Sequence, residues 1–458
     1  MNSSKSHAKT PRRKEEIMKR TSIICLSLLL TLFIASLAAA QEVADTIRVR
    51  TRVVFMDALV KDKKTGIPIS DLKPENFELF DDGQPRTISY FTREGQARKP
   101  LALVLILDLR DDGAGRFLKR EEIRRALVDE LAKLPPGDEV AILAINLNSV
   151  DDKTAVIRNG KALWLTEFTR DRAQLETALA RIPALVAPAP ESGQTDAAKH
   201  DQNNPNRESS ASVSVTSDPG KDKENEAAQA KAKENEVLET ETIKGKNGAV
   251  ITRTTKKDGS VSVKRVSSNG KVNIQLDNIY DMAGATRDAT KLAADKRPDH
   301  QAAIVWLSDG IAPIFYEDRE ATERILVREN AIFNSLTVDM RTLYKFLLPL
   351  GQPLIGWTGI SLAGSAKRLA QQSGGEAVRV SRTSDYGSGL AKIIGSLTAR
   401  YSLGFALSEQ EKDDGHMHEL ALRVNATDVK GKQRKLEISS RRGYFLVKSD
   451  GDQAAANK

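Results

Sequence analysis

The stretch that most constrains this chain is Leu101–Asp112, LALVLILDLRDD, an unbroken apolar run from Leu101 to Leu107 that ends abruptly in charge. A short apolar run bounded by polar residues predicts a strand buried on both faces, the kind found inside a parallel sheet. In open α/β sheets ligands bind outside the carboxyl ends of the strands. Asp108, Arg110, Asp111 and Asp112 fall at that edge. A helical pattern over Phe117–Lys133 and a second apolar strand, Glu139–Leu147, complete one β-α-β unit.

The alternation continues to residue 400. Strands are expected at Gln301–Ser308, followed by Asp309-Gly310, at Ser335–Leu343 and at Glu376–Val380. Helical patterns cover Asp171–Arg181, Asn278–Ala294, Arg319–Asn334, Leu362–Gln372 and Gly389–Ala399, with Gly374-Gly375 capping the fourth. This predicts an α/β fold, a doubly wound and mostly parallel sheet over residues 98–400. Residues 42–97 read as a small β domain, with strands at Phe77–Phe80 and Thr87–Phe91 around the turn Asp81-Asp82-Gly83. Tyr401–Leu407, Glu419–Val424 and Lys435–Ser439 read as a C-terminal antiparallel β segment, 401–448, expected near the first β domain. Residues 449–458 read as a disordered tail.

Two stretches interrupt the α/β pattern. Residues 187–236 have almost no large apolar residue and too little to bury against chain entropy, so disorder is expected. Residues 237–276 carry Asn247-Gly248, Asp258-Gly259 and Asn269-Gly270 between alternating segments, which predicts a meander of β-hairpins. Its apolar face, Val250, Val261, Val263 and Val266, is thin, and a protruding ribbon is expected.

The first forty residues have the order of an export signal. Arg12, Arg13, Lys14, Lys19 and Arg20 precede the apolar run Ser22–Leu37, which ends in Ala38-Ala39-Ala40. Cleavage is expected after Ala40, with Met18 opening a compact signal by itself, and the product is expected to be secreted or periplasmic. The alternative is an uncleaved anchor, the only membrane contact the sequence suggests. The single cysteine, Cys25, lies in this segment, so the processed chain has no thiol or disulfide. The first twenty residues hold seven Lys/Arg against two Glu and carry most of the formal net charge of +8. What remains is too small a surplus for a nucleic-acid footprint, and nucleic acid is not an expected partner.

No phosphate loop, dinucleotide fingerprint, nucleophile elbow or zinc signature is present. Ser308 beside Asp309 has no base, since His300 precedes its strand, and reads as an edge residue. His416-Met417-His418 sets two imidazoles on one side of a strand and, without a third ligand nearby, reads as a solvated hairpin tip. Trp164 and Trp306 sit in or beside apolar runs and read as core. The loop containing Gly356, Trp357 and Thr358 leaves a strand's carboxyl end and is Gly-rich and apolar, a candidate partner-contact patch.

Asp108 at a carboxyl edge, the later Leu307-Ser308-Asp309-Gly310 and the strand–helix order resemble a von Willebrand factor type A domain. The block DLKPENFELFDDGQPRTISYF, the Ser373-Gly374-Gly375 cap and the closing YSLGF and RRGYF segments resemble the type A-related proteins described from acidobacteria. The resemblance covers most of residues 46–446 apart from the insertion. It implies a divalent metal at an Asp-x-Ser-x-Ser site completed by a distant Thr and Asp, because Mg²⁺ needs hard oxygens in octahedral array. Asp108 matches the first aspartate and Asp309 the last. Arg110 and Asp112 stand at the serine positions, and Asp277 at about the threonine position, a departure at three of five places.

Two arrangements follow. In one, the Arg110 guanidinium sits among Asp108, Asp112, Asp277 and Asp309 and replaces the metal. In the other, Arg110 swings out and the carboxylates bind Ca²⁺ or Mg²⁺. No other cofactor is implied. The expected work is non-enzymatic adhesion or scaffolding with an unknown protein partner, through the carboxyl edge with Asp111, Gly356, Trp357 and Thr358. The alternatives are a metal-dependent hydrolase using the acidic cluster, or a structural envelope protein with a vestigial site. No catalytic His or Cys accompanies the cluster, which counts against the hydrolase.

Overall fold

In the computed structural model of the chain, the described residues are 52–93, 98–109, 114–147, 161–186, 213–216, 237–256, 261–271, 273–277, 282–310, 314–338, 359–361, 364–408, 410–411, 414–428 and 430–446. The expected signal segment and C-terminal tail lie outside them. Among these residues no helix is long and apolar enough to cross a membrane.

Four strands come first, β1 (Val53–Asp62), β2 (Phe77–Asp81), β3 (Gln84–Arg86) and β4 (Tyr90–Thr92). Then follow β5 (Leu101–Asp108), α1 (Gly115–Leu118), α2 (Glu121–Ala132), β6 (Glu139–Leu147), β7 (Lys161–Thr169), α3 (Arg172–Ala180) and α4 (Ile182–Leu185). The insertion holds β8 (Val213–Thr216), β9 (Val237–Lys244), β10 (Val250–Lys256), β11 (Val261–Val266) and β12 (Asn273–Asp277). The α/β pattern resumes with α5 (Met282–Lys296), β13 (Gln301–Ser308), β14 (Ile314–Phe315), α6 (Tyr316–Arg328) and β15 (Ile332–Val338). It ends with β16 (Ile360–Ser361), α7 (Ser365–Ser373), β17 (Ala377–Val380) and α8 (Tyr386–Thr398). The last strands are β18 (Tyr401–Ala406), β19 (Met417–Val424), β20 (Leu436–Ser440) and β21 (Gly443–Phe445).

The architecture is mixed α/β. One sheet has the order β17-β15-β13-β5-β6-β7, parallel except for β7, which runs antiparallel to β6 at the edge. Every residue of β5 and β13 is buried. With a side-chain period of two, Leu103, Leu105 and Leu107 face Leu127 of α2, Leu179 of α3 and Ile393 of α8. Ala102, Val104 and Ile106 face the opposite layer, with Ala285 and Ala289 of α5 and Leu369 of α7. Burying one such aliphatic side chain contributes about 1.5–3 kcal/mol, against about 0.5–1.5 kcal/mol net for a hydrogen bond. Apolar residues therefore fix the sheet, and its polar carboxyl edge is left to other work. Trp306 is fully buried in this core, as expected.

Several boundaries differ: the expected strand Thr87–Phe91 is replaced by the short β3 and β4, and the expected strand Ser335–Leu343 begins at Ile332. The expected helix Phe117–Lys133 is broken into α1 and α2. The expected helix Arg319–Asn334 stops at Arg328, because Asn330 turns into the left-handed region (φ 50°) and Ile332–Val338 is a strand buried at every residue. The cap at Gly374 is as expected, with φ 80° and the Gly375 N–H donating to the Ala370 carbonyl at 2.8 Å.

The N- and C-terminal β segments are interleaved rather than merely adjacent. One sheet has the order β20-β1-β18-β4 and a second β21-β19-β2-β3, so each contains strands from both ends of the chain. A single core lies between them, built from Met56, Val60, Phe77, Leu79, Leu403, Phe405, Leu420 and Tyr444. The Asp82-Gly83 turn joining β2 to β3 has the expected positive φ at both residues, 48° and 78°.

The insertion is a five-stranded antiparallel sheet, β8-β12-β11-β10-β9, and β8 falls in the stretch expected to be disordered. It does not protrude. Ile243, Ile251, Val261, Val263 and Ile274 pack with Phe315, while Val250 and Val266 stay half-exposed. Beside them three buried arginines reach two acidic residues in the first turn of α6. Arg265 holds Glu317 through two bonds of 3.0 and 2.8 Å, Arg253 meets Asp318 at 2.7 Å, and Arg287 of α5 meets Asp318 at 2.5 Å. Arg287 also reaches back to Glu241 of β9 at 2.7 Å. Burial acts to raise the Glu317 pKa, but the Arg265 and Asn247 hydrogen bonds outweigh it and hold the carboxyl below its ordinary value.

A second buried pair joins the β-sandwich to the parallel sheet. Lys61 of β1 is ion-paired to Glu376, which also accepts from the Ser396 hydroxyl of α8. Two predictions follow from these pairs. Asp318→Ala leaves Arg253 and Arg287 facing one another in the interior; the expected cost is about 3–5 kcal/mol, read by urea unfolding, with faster proteolysis of the insertion. At Glu376 burial works to raise the pKa from 4.5, yet Lys61 and Ser396 outweigh it and lower it. Its stabilisation is therefore present above the ordinary value of 4.5 and lost as pH falls through the depressed folded one. Melting temperature against pH should show this acid limb weakened in Glu376→Gln.

Candidate functional site

The parallel register sets Leu107 of β5 level with Leu307 of β13, so Asp108 and Ser308 emerge side by side where the two central strands end. Asp309 follows, and Gly310 takes φ 90°, a conformation that turns the chain away from the sheet at little steric cost to glycine. The Ser308 hydroxyl lies 3.3 Å from Asp108 Oδ2 and 3.2 Å from Asp309 Oδ1, and accepts from the Gly310 N–H at 3.2 Å. With one proton to give, it serves one carboxylate at a time. From α8 the fully buried Tyr386 donates its hydroxyl to the Ser308 carbonyl at 3.2 Å. Asp108 is 1% and Asp309 3% exposed, so both carboxylates are withdrawn from solvent. Each has further polar partners.

The structure thus brings together two of the expected site residues, Asp108 and Asp309. Asp277 ends β12, where its backbone pairs with Ser262 in the insertion sheet. Arg110, Asp111, Asp112, Gly356, Trp357 and Thr358 lie outside the described residues. Among the described residues, the grouping of three side chains within metal-binding distance is elsewhere, at Asp81, Asp82 and His418. Ser308, read from the sequence as an edge residue, is at the edge as expected, but its hydroxyl joins the two aspartates, a role not read from the sequence. Its signal was the equal length of β5 and β13, which sets the two strand ends level. Tyr386 had no such signal, because it comes from a helix on one face.

The chain matches no family model and no curated protein. Among solved structures it is similar to the pilus adhesin SpaC from Lactobacillus rhamnosus GG, with a TM-score of 0.33 and 6% identity over 81% of this chain and 49% of that one. The same adhesin in an open conformation gives a TM-score of 0.30 and 8% identity over 82% and 49%. The chain spans about half the length of these structures. Superposition this slight fixes neither fold nor function.

Removing the central hydroxyl isolates its effect. Ser308→Ala leaves two buried carboxylates without the donor between them and the Gly310 N–H without its acceptor. An expected loss of about 1–3 kcal/mol is checked by urea unfolding; an unchanged midpoint would mean that the hydroxyl does not hold the edge.

Proposed function

We propose that this chain is an exported, non-enzymatic protein of the von Willebrand factor type A kind, which binds a protein partner for adhesion or scaffolding through the carboxyl edge of its parallel sheet. One observation carries the reading. Asp108 closes β5 and Asp309 directly follows β13, the adjacent strands from which the sheet order runs off in opposite directions, β6-β7 on one side and β15-β17 on the other. Open α/β sheets of doubly wound type take their ligands at that switch point. The antiparallel edge strand β7 and the helices on both faces are compatible with the type A likeness.

The metal site is degenerate on this reading. Buried carboxylates need compensating positive charge, and Arg110, two residues after Asp108, supplies a guanidinium that cannot be deprotonated. Asp111 and the loop with Gly356, Trp357 and Thr358 provide the contact surface. A hydrolase is the weaker reading, because His300, the histidine next to this sheet in sequence, precedes β13 at the end opposite the edge.

Mg²⁺ is the discriminating ion, since it prefers all-oxygen sites. Thermal melting of the wild type should be indifferent to Mg²⁺, while Arg110→Ser should melt higher in its presence. A Mg²⁺ response in the wild type would replace the arginine by a resident cation. Protein binding by the edge is tested by surface plasmon resonance against envelope and matrix proteins, with Trp357→Ala and Asp309→Asn. Undiminished binding in both folded variants would exclude the edge as the contact surface.

A further inference from the structure

The β-sandwich holds a cluster independent of the carboxyl edge. The β2–β3 turn, the start of β19 and β21 meet at one end of the second sheet. There His418 Nδ1 lies 2.8 Å from Asp82 Oδ2, while Asp82 Oδ1 accepts from the Glu419 N–H at 2.7 Å, so ring and carboxylate are both fixed. The imidazole stacks on the Tyr444 ring, with centroids 5.0 Å apart and planes at 25°. Asp81, beside Asp82, is 3% exposed. Its Oδ2 accepts from Arg86 at 3.0 and 2.7 Å and from the Tyr444 hydroxyl at 3.1 Å.

Asp81 Oδ1 is buried and has no hydrogen-bond partner. A buried carboxylate oxygen left unsatisfied is costly and calls for a cause, an ion among them. His418 Nε2 is likewise buried without a hydrogen bond, with Asp414 Oδ1 the nearby anion at 3.5 Å. One ligand-type atom from each of Asp81, Asp82 and His418 lies within 4.8 Å of the others. Nearby charge favours a cation: Asp81, Asp82 and Asp414 stand against the Arg86 guanidinium, which Glu411 also engages. Two carboxylates with an imidazole are the donor set of zinc-class ions, which accept nitrogen and oxygen ligands in tetrahedral array.

We propose that Asp81, Asp82 and His418 bind a divalent cation of the zinc class through His418 Nδ1, with Asp414 beside the other ring nitrogen, Nε2. The ion replaces the proton shared by His418 Nδ1 and Asp82 Oδ2, moving the two slightly apart to take both as ligands, and satisfies the orphaned Asp81 oxygen. Tyr444 and Arg86 orient Asp81 from behind, as outer partners orient metal ligands generally. The site is structural, because it clamps the β2–β3 turn to β19, joining residues 336 positions apart in the chain. A protein whose single cysteine precludes an internal disulfide has few other covalent-like ties between its two ends. His416, exposed and two residues before His418, takes no part.

The test is calorimetric titration of ZnCl₂ into the chelator-treated full chain, beside His418→Ala, Asp82→Asn and His416→Ala. The expected result is one-site binding in the wild type and in His416→Ala, weakened roughly 10–100-fold or more in the other two. Cobalt(II) added instead of zinc should give the visible absorption of a low-symmetry site in the wild type, lost in His418→Ala. Circular dichroism establishes that each variant is folded; should His418→Ala unfold, Asp82→Asn carries the comparison. No heat in the wild type, or binding that survives in His418→Ala and Asp82→Asn, overturns the proposal and leaves an ordinary His–Asp pair. Mg²⁺ does not substitute for zinc at a nitrogen-bearing site, so this outcome is independent of the carboxyl edge.

Discussion

The pairing of β5 with β13 is the contact on which the rest depends. It joins strands 200 residues apart, buries every side chain on both faces, and defines where the sheet changes direction. Loop closure grows costly only slowly with length, by about 0.6 kcal/mol for each doubling. The long stretch between β7 and α5 therefore adds little to the cost of bringing these strands together, whatever it contains. That tolerance explains how a whole five-stranded sheet can sit inside an α/β domain without disturbing its core. Asp108 inherits its position from this pairing directly, and Asp309, one residue past its strand, through the Ser308–Gly310 turn.

Buried cations make the joints between these layers. Arg400 donates to the Gly374 carbonyl at 2.8 Å and to the Ser396 carbonyl at 3.1 Å. Arg441 reaches the Phe55 carbonyl, and burial lowers its pKa to about 10. Lys61 and Glu376 complete the junction. Such groups add modest net energy, because desolvation offsets much of the attraction. They do, however, allow one relative placement of strand β1 and helix α7, since a displaced guanidinium would be left buried and unbonded.

Much of the parallel sheet was legible in the sequence, because its strands are continuous apolar runs and its helices carry local periodicity. The Asp82-Gly83 turn and the Gly374 cap were legible for the same local reason: each requires positive φ. What escaped the sequence is non-local. The interleaving of the two β segments depends on which strand pairs with which, and alternation alone cannot say. The docking of the insertion was hidden because Arg253 and Arg265 read as a solvated strand face, while their partners, Glu317 and Asp318, lie over fifty residues further on. The edge was half legible: Asp108 and Asp309 stood out as carboxylates after apolar runs, but Ser308 gained meaning only from parallel register. His418 looked isolated because Asp82 lies at the far end of the chain.

The shared sandwich also imposes a schedule. Asp57 of β1 and its neighbour Ser402 of β18 are separated by 345 residues. At synthesis rates of about 5–20 residues per second, β1 waits roughly 20–70 s for the strand that covers its edge. During that interval the parallel sheet can assemble, while β1, β4 and the outer edge of the β2–β3 hairpin present unpaired backbone to any other extended chain. The sandwich can therefore close only once its C-terminal strands are made, and the charged residues along β1 and β2, Asp57, Lys61 and Glu78 among them, oppose stray edge pairing until then.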